Sequence, residues 1–421
     1  MGIGQWLLGA LVCACACVWA QESRPDTGVT VQDAQRAAAA NVDVSIARRT
    51  LAAARGDVAA ADHAPAPQLT AKASQMDLQN GLGGGNLFRD KRIDKSLGLD
   101  WTIERGNKRE LRTQTAIANA QAARADVQEA IVQQQIAASG AFFDLLAAQE
   151  KIAQMQALRE SADQLVEASQ RRVRAGDLSR QEAMRVEIEA ERARTDAQAA
   201  QTDRARAELA LAQATGLQGQ LAATGGWPSL AKAAGARPFD IERRGDVRAA
   251  RERVLAAQRA LEGALALQHT DITVGASYDH FPGTSTRLLE LRLQVPLSGE
   301  IGYAFQGEIE RARAQLAQAE DQLQKVRLAA AADMGRLAQD LDLSSSRAAA
   351  YEDEIVPRAR EVARLAEYAF SRGAMTLADL IDARRTLRAV LLEEIAARAD
   401  HARAIAAWQL RQREDPETES P

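Results

Sequence analysis

Phe370-Ser371-Arg372-Gly373-Ala374-Met375-Thr376-Leu377-Ala378-Asp379-Leu380-Ile381-Asp382-Ala383-Arg384 reads as the end of one helix, a turn, and the start of another. Gly373 suits the left-handed residue that closes a helix, where a side chain would clash, and Thr376 is a good N-cap for the helix that follows. The chain holds an earlier version of the same grammar in Val173-Arg174-Ala175-Gly176-Asp177-Leu178-Ser179-Arg180-Gln181-Glu182-Ala183-Met184. There Gly176 closes a helix and Ser179 opens the next, with Glu182 three residues on, as a capping box requires. Two helical turns of one design, about half a chain apart, imply an internal repeat.

Outward from each turn the helical period is long. Upstream of Gly176, Ile131, Ala138, Phe142, Leu145, Ile152 and Leu165 mark an apolar stripe through a helix from about Asn107 to Arg174; the return helix runs to Ala212. Upstream of Gly373, Ile309, Leu316, Leu323, Ala330 and Leu337 recur at seven-residue steps, which implies coiled-coil packing. Pro357 interrupts that helix and is expected to kink it. The last helix turns Leu377, Leu380, Leu387, Leu391, Ile395 and Ile405 inward.

Each long hairpin follows a shorter helix, Thr30 to Asp62 and then Asp246 to Gln268, and a pair of segments with period two. Leu69 to Ser74 alternates weakly. Leu97, Leu99, Trp101 and Ile103 face one way, and Gly98, Asp100, Thr102 and Glu104 the other. Ile272, Val274, Ala276 and Tyr278 alternate likewise, and in the partner strand Leu289, Leu291, Leu293, Val295 and Leu297 oppose Glu290, Arg292 and Gln294. The expected division is a first repeat over 21–218, a connector over 219–245, a second repeat over 246–413 and a disordered tail over 414–421. The fold class is mainly α with a small β part: duplicated long helical hairpins plus four strands.

Composition agrees. Aromatic residues make up 4 % of the 421 and charged residues 26 %, with a net charge of −4. Alanine-rich helices with narrow seams are easily built from this, and a basic patch for nucleic acid is not. Residues 1–20 read as a secretory signal with cleavage before Gln21. A lipoprotein signal competes, since Cys13, Cys15 and Cys17 crowd that region, although none has Leu three residues before it. All three cysteines lie there, which leaves the rest of the chain without a disulfide or thiolate. Beyond it no run of 18 apolar residues suggests a membrane-spanning helix. No nucleophile–base constellation points to an enzyme, and no cofactor is expected. Gly81 to Gly85 lies between strands rather than before a helix, so a phosphate-loop reading fails. His63, His269, His280 and His401 are scattered without metal-ligand spacing.

Strands apolar on one face and polar on the other fit either a half-buried soluble sheet or a membrane barrel, apolar to lipid and polar to the lumen. Four strands cannot close a membrane barrel, whose smallest members have about eight, and an open edge is forbidden in lipid. If these strands span a membrane, several chains share one barrel.

In this arrangement the chain resembles the TolC-like family of outer-membrane efflux proteins. The order of strand pairs and hairpins carries the likeness, with Ala141-Phe142-Phe143-Asp144-Leu145-Leu146-Ala147-Ala148-Gln149, the two glycine tips, Leu209-Ala210-Leu211-Ala212-Gln213-Ala214-Thr215-Gly216 and Val356-Pro357. The resemblance implies a homotrimer that closes one transmembrane β-barrel in the outer membrane of a Gram-negative bacterium and continues it as a helical α-barrel across the periplasm. It implies passive conduction of substrates from an inner-membrane pump through a periplasmic adaptor (membrane fusion) protein. Phe305-Gln306-Gly307-Glu308-Ile309-Glu310-Arg311-Ala312 is similar to the heavy-metal branch, served by resistance-nodulation-division pumps. Asp379 and Asp382 match paired aspartates that ring the narrow end of the tunnel, with Phe370 where relatives can carry a gate Tyr and Met375 where they can carry an Arg. Arg174, Gly176, Leu178, Ser179, Arg372, Gly373 and Thr376 match the tips where adaptor hairpins dock. A periplasmic adaptor would show one hairpin between β halves; a secreted coiled-coil scaffold would not need the Leu289–Leu297 alternation.

Overall fold

The computed structural model describes residues 27–74, 79, 84–86, 93–230, 240–281, 287–297 and 302–413. The signal segment, most of the glycine loop, Arg237-Pro238 of the connector and the tail 414–421 lie outside them. The first repeat comprises β1 (Thr27–Val29), α1 (Val31–Ala38), α2 (Val42–Ala61), β2 (Gln68–Ser74), β3 (Asp94–Ile103), α3 (Lys108–Ala175) and α4 (Arg180–Thr215). After β4 (Leu221–Ala223) and a short 3-10 turn come α5 (Gly245–Ala266), β5 (Ile272–His280), β6 (Arg287–Gln294), α6 (Gln306–Ala350), α7 (Val356–Ser371) and α8 (Leu377–Gln412).

The α3 rod has 68 residues, about 100 Å at 1.5 Å per residue. Its first half meets α2 through Val44, Val127 and Ile131, and α5 through the Arg253–Asp126 pair. Its second half meets α4 through Met155, Ala197 and Ala200, and α8 beyond. Midway, Phe142 and Phe143 form an edge-to-face pair with centroids 5.2 Å apart, and Trp227 of the connector stacks on Phe143 at 6.3 Å. Around them pack α1 and the parallel pair β1–β4, which the sequence pattern does not announce.

Two expectations are corrected, and a third takes a specific form. The single first helix is two, broken at residues 39–41, because Asn41 is used elsewhere: its side-chain amide donates to Gln213 O at 3.2 Å and Ala214 O at 2.6 Å, satisfying carbonyls at the end of α4. The buried face then passes to Val44, and Val42 is exposed. The last strand stops at Gln294 rather than running to Leu297, since Pro296 has no N–H to donate to a ladder. Pro357 marks an interruption of its helix, as expected. The N–H that would bond to Asp353 O is missing, and the chain widens into a π-turn over Tyr351–Ile355, with Val356 N–H donating to Tyr351 O. That turn takes up one extra residue. Seven-residue steps from Leu341 and Ala348 would next bury positions 355 and 362; Val356 and Ala363 are buried instead, and Ile355 and Val362 are exposed.

The strands form one antiparallel sheet in the order β2-β3-β5-β6, so the two repeats meet at β3–β5 and the outer edges of β2 and β6 are unpaired. Phe142→Ala should cost about 3–5 kcal/mol, as for other buried aromatics, read as a lowered unfolding midpoint of the purified chain.

Candidate functional site

The register aligns the sheet's side chains into rows. Leu69, Leu99, Ala276 and Leu291 sit abreast, as do Trp101, Val274 and Leu293, and Leu97, Tyr278 and Leu289. Among the described residues nothing covers this face: Leu289, Leu291 and Leu293 are 74, 77 and 68 % exposed. The opposite face is polar and more enclosed. Arg292 reaches Asp100 at 3.0 Å over Gly275, where an added Cβ would lie 2.1 Å from the Asp100 carboxylate, and Thr70 donates to the same carboxylate at 3.2 Å. Outward apolar and inward polar is the reverse of a soluble sheet.

At the far end of the rods the two tips are atomic copies. Gly176 has φ +84° and Gly373 φ +72°. Asp177 N–H donates to Arg172 O and Gly176 N–H to Val173 O; Ala374 N–H donates to Ala369 O and Gly373 N–H to Phe370 O. Each is a Schellman closure. Ser179 and Thr376, three residues beyond each glycine, cap the next helices, and Ser179 forms the full capping box with Glu182. Asp379 accepts from the Thr376 hydroxyl at 2.6 Å and is exposed, as is Asp382 on the same helix face. Phe370 and Met375 sit apart from these carboxylates. They pack against the cluster of Val186, Ala366, Leu377, Leu380 and Ile381 that joins the hairpins, with the Arg172 guanidinium 4.7 Å from the Phe370 ring centre. Arg174, Gly176, Ser179, Arg372, Gly373 and Thr376 are exposed, and Leu178 is half-buried.

Ion pairs between helices were not legible in the sequence. Beside the tips, Arg385 and Arg388 of α8 bind Glu189 and Asp196 of α4. Hydrogen bonding from Arg385 holds the Glu189 carboxyl below its ordinary value, against the push of burial. Where α8 ends and α5 begins, Arg411 reaches Glu129 at 2.8 Å, and buried Arg244 binds Asp246 at 2.8 Å and Asp333 at 2.9 Å. Burial pushes Asp333 up, but hydrogen bonds from Arg244 and Arg336 outweigh it and lower its pKa. A cavity of about 800 Å³ opens beside this junction, between α3, α6 and α8. Arginine and acidic residues are interleaved throughout the helices, so no spacing in the sequence singles these pairs out. Among the described residues no group of His, Cys, Asp and Glu could hold a metal ion, and no helix is long and apolar enough to cross a membrane.

Residues 34–217 match the family described as outer membrane efflux protein. Among solved structures the chain is similar to the outer membrane protein VceC from Vibrio cholerae, with a TM-score of 0.73 and 16 % identity over 91 % of this chain and 95 % of that one. It is similar to the CmeC outer membrane channel of Campylobacter jejuni, with a TM-score of 0.75 and 13 % identity over 98 % and 93 % of the two chains. The open state of the MtrE outer membrane channel of Neisseria gonorrhoeae gives 0.69 and 19 % over 91 % and 88 %. At these identities the likeness is one of fold. No relative is found among curated protein sequences.

Because the Glu189 carboxyl is lowered in the folded chain, its contribution to stability is present above the ordinary carboxylate value and is lost as pH falls through the folded one. Glu189→Gln should therefore lower the unfolding midpoint at neutral pH and flatten the acid limb of midpoint against pH.

Proposed function

We propose, from the match of residues 34–217 to the outer membrane efflux protein family, that this chain is one protomer of a trimeric outer-membrane efflux channel. The observation that carries the reading is the uncovered apolar face of β2-β3-β5-β6 between two unpaired edges. Lipid is the solvent that such a face fits, and edges in lipid must be paired. Pairing the β6 edge of one copy with the β2 edge of the next closes a barrel with no edge left, its polar face lining the lumen. The helical layer asks for the same neighbours. Met184, Ile188 and Leu209 on α4, and Val362, Leu365 and Tyr368 on α7, are exposed apolar residues that no helix covers among the described residues. A head-to-tail contact between those borders closes into a ring.

In this assembly the strands sit in the outer membrane and the rods extend through the periplasm. Substrate passes down the polar lumen without chemistry, driven by an inner-membrane pump of the resistance-nodulation-division class and received through a periplasmic adaptor. The exposed tip residues Arg174, Ser179, Arg372 and Thr376 with their glycines form the docking surface. Asp379 and Asp382, repeated by symmetry, concentrate negative charge at the narrow end and select by charge. Phe370 and Met375 act on this gate indirectly, by holding the α7–α8 turn against α4.

Leu291→Lys puts a charge on the lipid face and should cost about 2–4 kcal/mol per chain near the bilayer midplane. Heat-labile trimers extracted from outer membranes should then diminish; undiminished trimers, or a wild-type chain that fractionates as a periplasmic monomer, would overturn the reading. Replacing Asp379 and Asp382 together by Ala should relieve block of single-channel current by multivalent cations, and an unchanged block removes them from the gate.

A further inference from the structure

Between the two hairpins, about two turns from the tips, lies a cavity of about 140 Å³. Leu158 and Leu165 of α3, Val186 of α4, and Ile381 and Leu387 of α8 give it an apolar lining. Arg384, Arg385 and Arg388 reach it from α8, against two carboxylates, Glu189 and Glu367. Arg385 and Arg388 are engaged with Glu189 and Asp196. Arg384 is engaged only in part: its Nη1 donates to Ser161 O at 3.3 Å and its Nη2 to Glu367 at 2.9 Å, while its Nε is buried without a hydrogen-bond partner.

A buried donor without an acceptor is destabilising, the more so on a charged group. Each guanidinium already has one carboxylate, Glu367, Glu189 and Asp196 in turn, so what an added oxygen acceptor beside Arg384 supplies is the missing hydrogen-bond partner. The rest of the space is apolar, and cavities of about 150 Å³ with such walls take a single benzene ring. A phosphate does not fit this description, since it needs several donors and has no apolar part. We infer that this cavity is a binding site for a small monocarboxylate with one ring or a short branched chain, its apolar body among Leu158, Leu165, Val186 and Ile381 and its carboxylate on Arg384.

Such a ligand touches α3 and α4 on one side and α8 on the other, so it ties the two hairpins together close to their tips. The site is complete within one chain and stands or falls separately from the transport reading.

Isothermal titration of the full-length, detergent-purified protein with benzoate, benzyl alcohol and inorganic phosphate tests it. The expected result is saturable benzoate binding, at least tenfold weaker binding of benzyl alcohol, and none of phosphate. Arg384→Gln, which keeps a polar side chain, and Ala162→Leu, which fills space at the cavity wall, should each weaken benzoate tenfold or more. Circular dichroism checks that both variants fold, and either folded variant suffices. No saturable binding to the wild type, equal binding of benzyl alcohol, or affinity unchanged in a folded variant overturns the inference. If neither variant folds, protection of the wild type decides: benzoate must raise its unfolding midpoint by mass action where benzyl alcohol does not.

Discussion

Backbone N–H and C=O groups along a strand edge must find partners wherever water is excluded, and the outer edges of β2 and β6 have none among the described residues. That constraint orders the rest of the molecule. The sheet turns its leucines outward and its Asp100–Arg292 pair inward, so it is unsuited both to water on its apolar face and to lipid at its edges. In the proposed trimer, copies placed edge to edge would relieve both conflicts. A shared sheet would bring the helices that grow from it side by side, and would give partners to the apolar borders of α4 and α7, which are exposed among the described residues.

The duplication is what lets one chain supply two neighbouring sectors of such a ring. Its imprint is sharpest at the tips, where the glycine closures repeat bond for bond and the caps fall at the same offset. It recurs where the sheet hands over to the rods: α3 and α6 are each entered through a left-handed residue, Asn107 and Phe305. For Phe305 that conformation is a strained one, held between the sheet and a long helix. Elsewhere the halves diverge. Asn41 stitches α2 to the end of α4 with an amide, whereas in the second half buried Arg244, at the start of α5, pairs with Asp333 of α6, and Arg411 of α8 pairs with Glu129 of α3.

Features written in local chemistry were readable in advance. Alternation in Leu97–Ile103 and Ile272–Tyr278 gave the faces of β3 and β5, and the Gly–hydroxyl pairs gave both tips. What sequence reading missed depends on partners far along the chain. The break at 39–41 has neither Gly nor Pro to mark it; its cause is an acceptor more than 170 positions away. The pairs Glu189–Arg385 and Asp196–Arg388 are invisible among so many interleaved charges. The packing of Phe370 and Met375 against the apolar cluster between the hairpins likewise depends on residues far along the chain, such as Val186.

The π-turn before Pro357 has a consequence for how one helix serves two masters. Its surplus residue rotates everything downstream by about 100° relative to the ladder above, so Val356, Ala359, Ala363 and Ala366 inherit the place against α8. Ile355, Val362 and Leu365, which an unbroken ladder would have hidden, are swung to the flank. A single-residue deletion there would merge the two ladders, draw those side chains under α8 and strip the flank of its adhesive stripe. In the proposed trimer, one inserted amino acid would thus keep the surface α7 uses for folding apart from the surface it offers to a neighbouring copy.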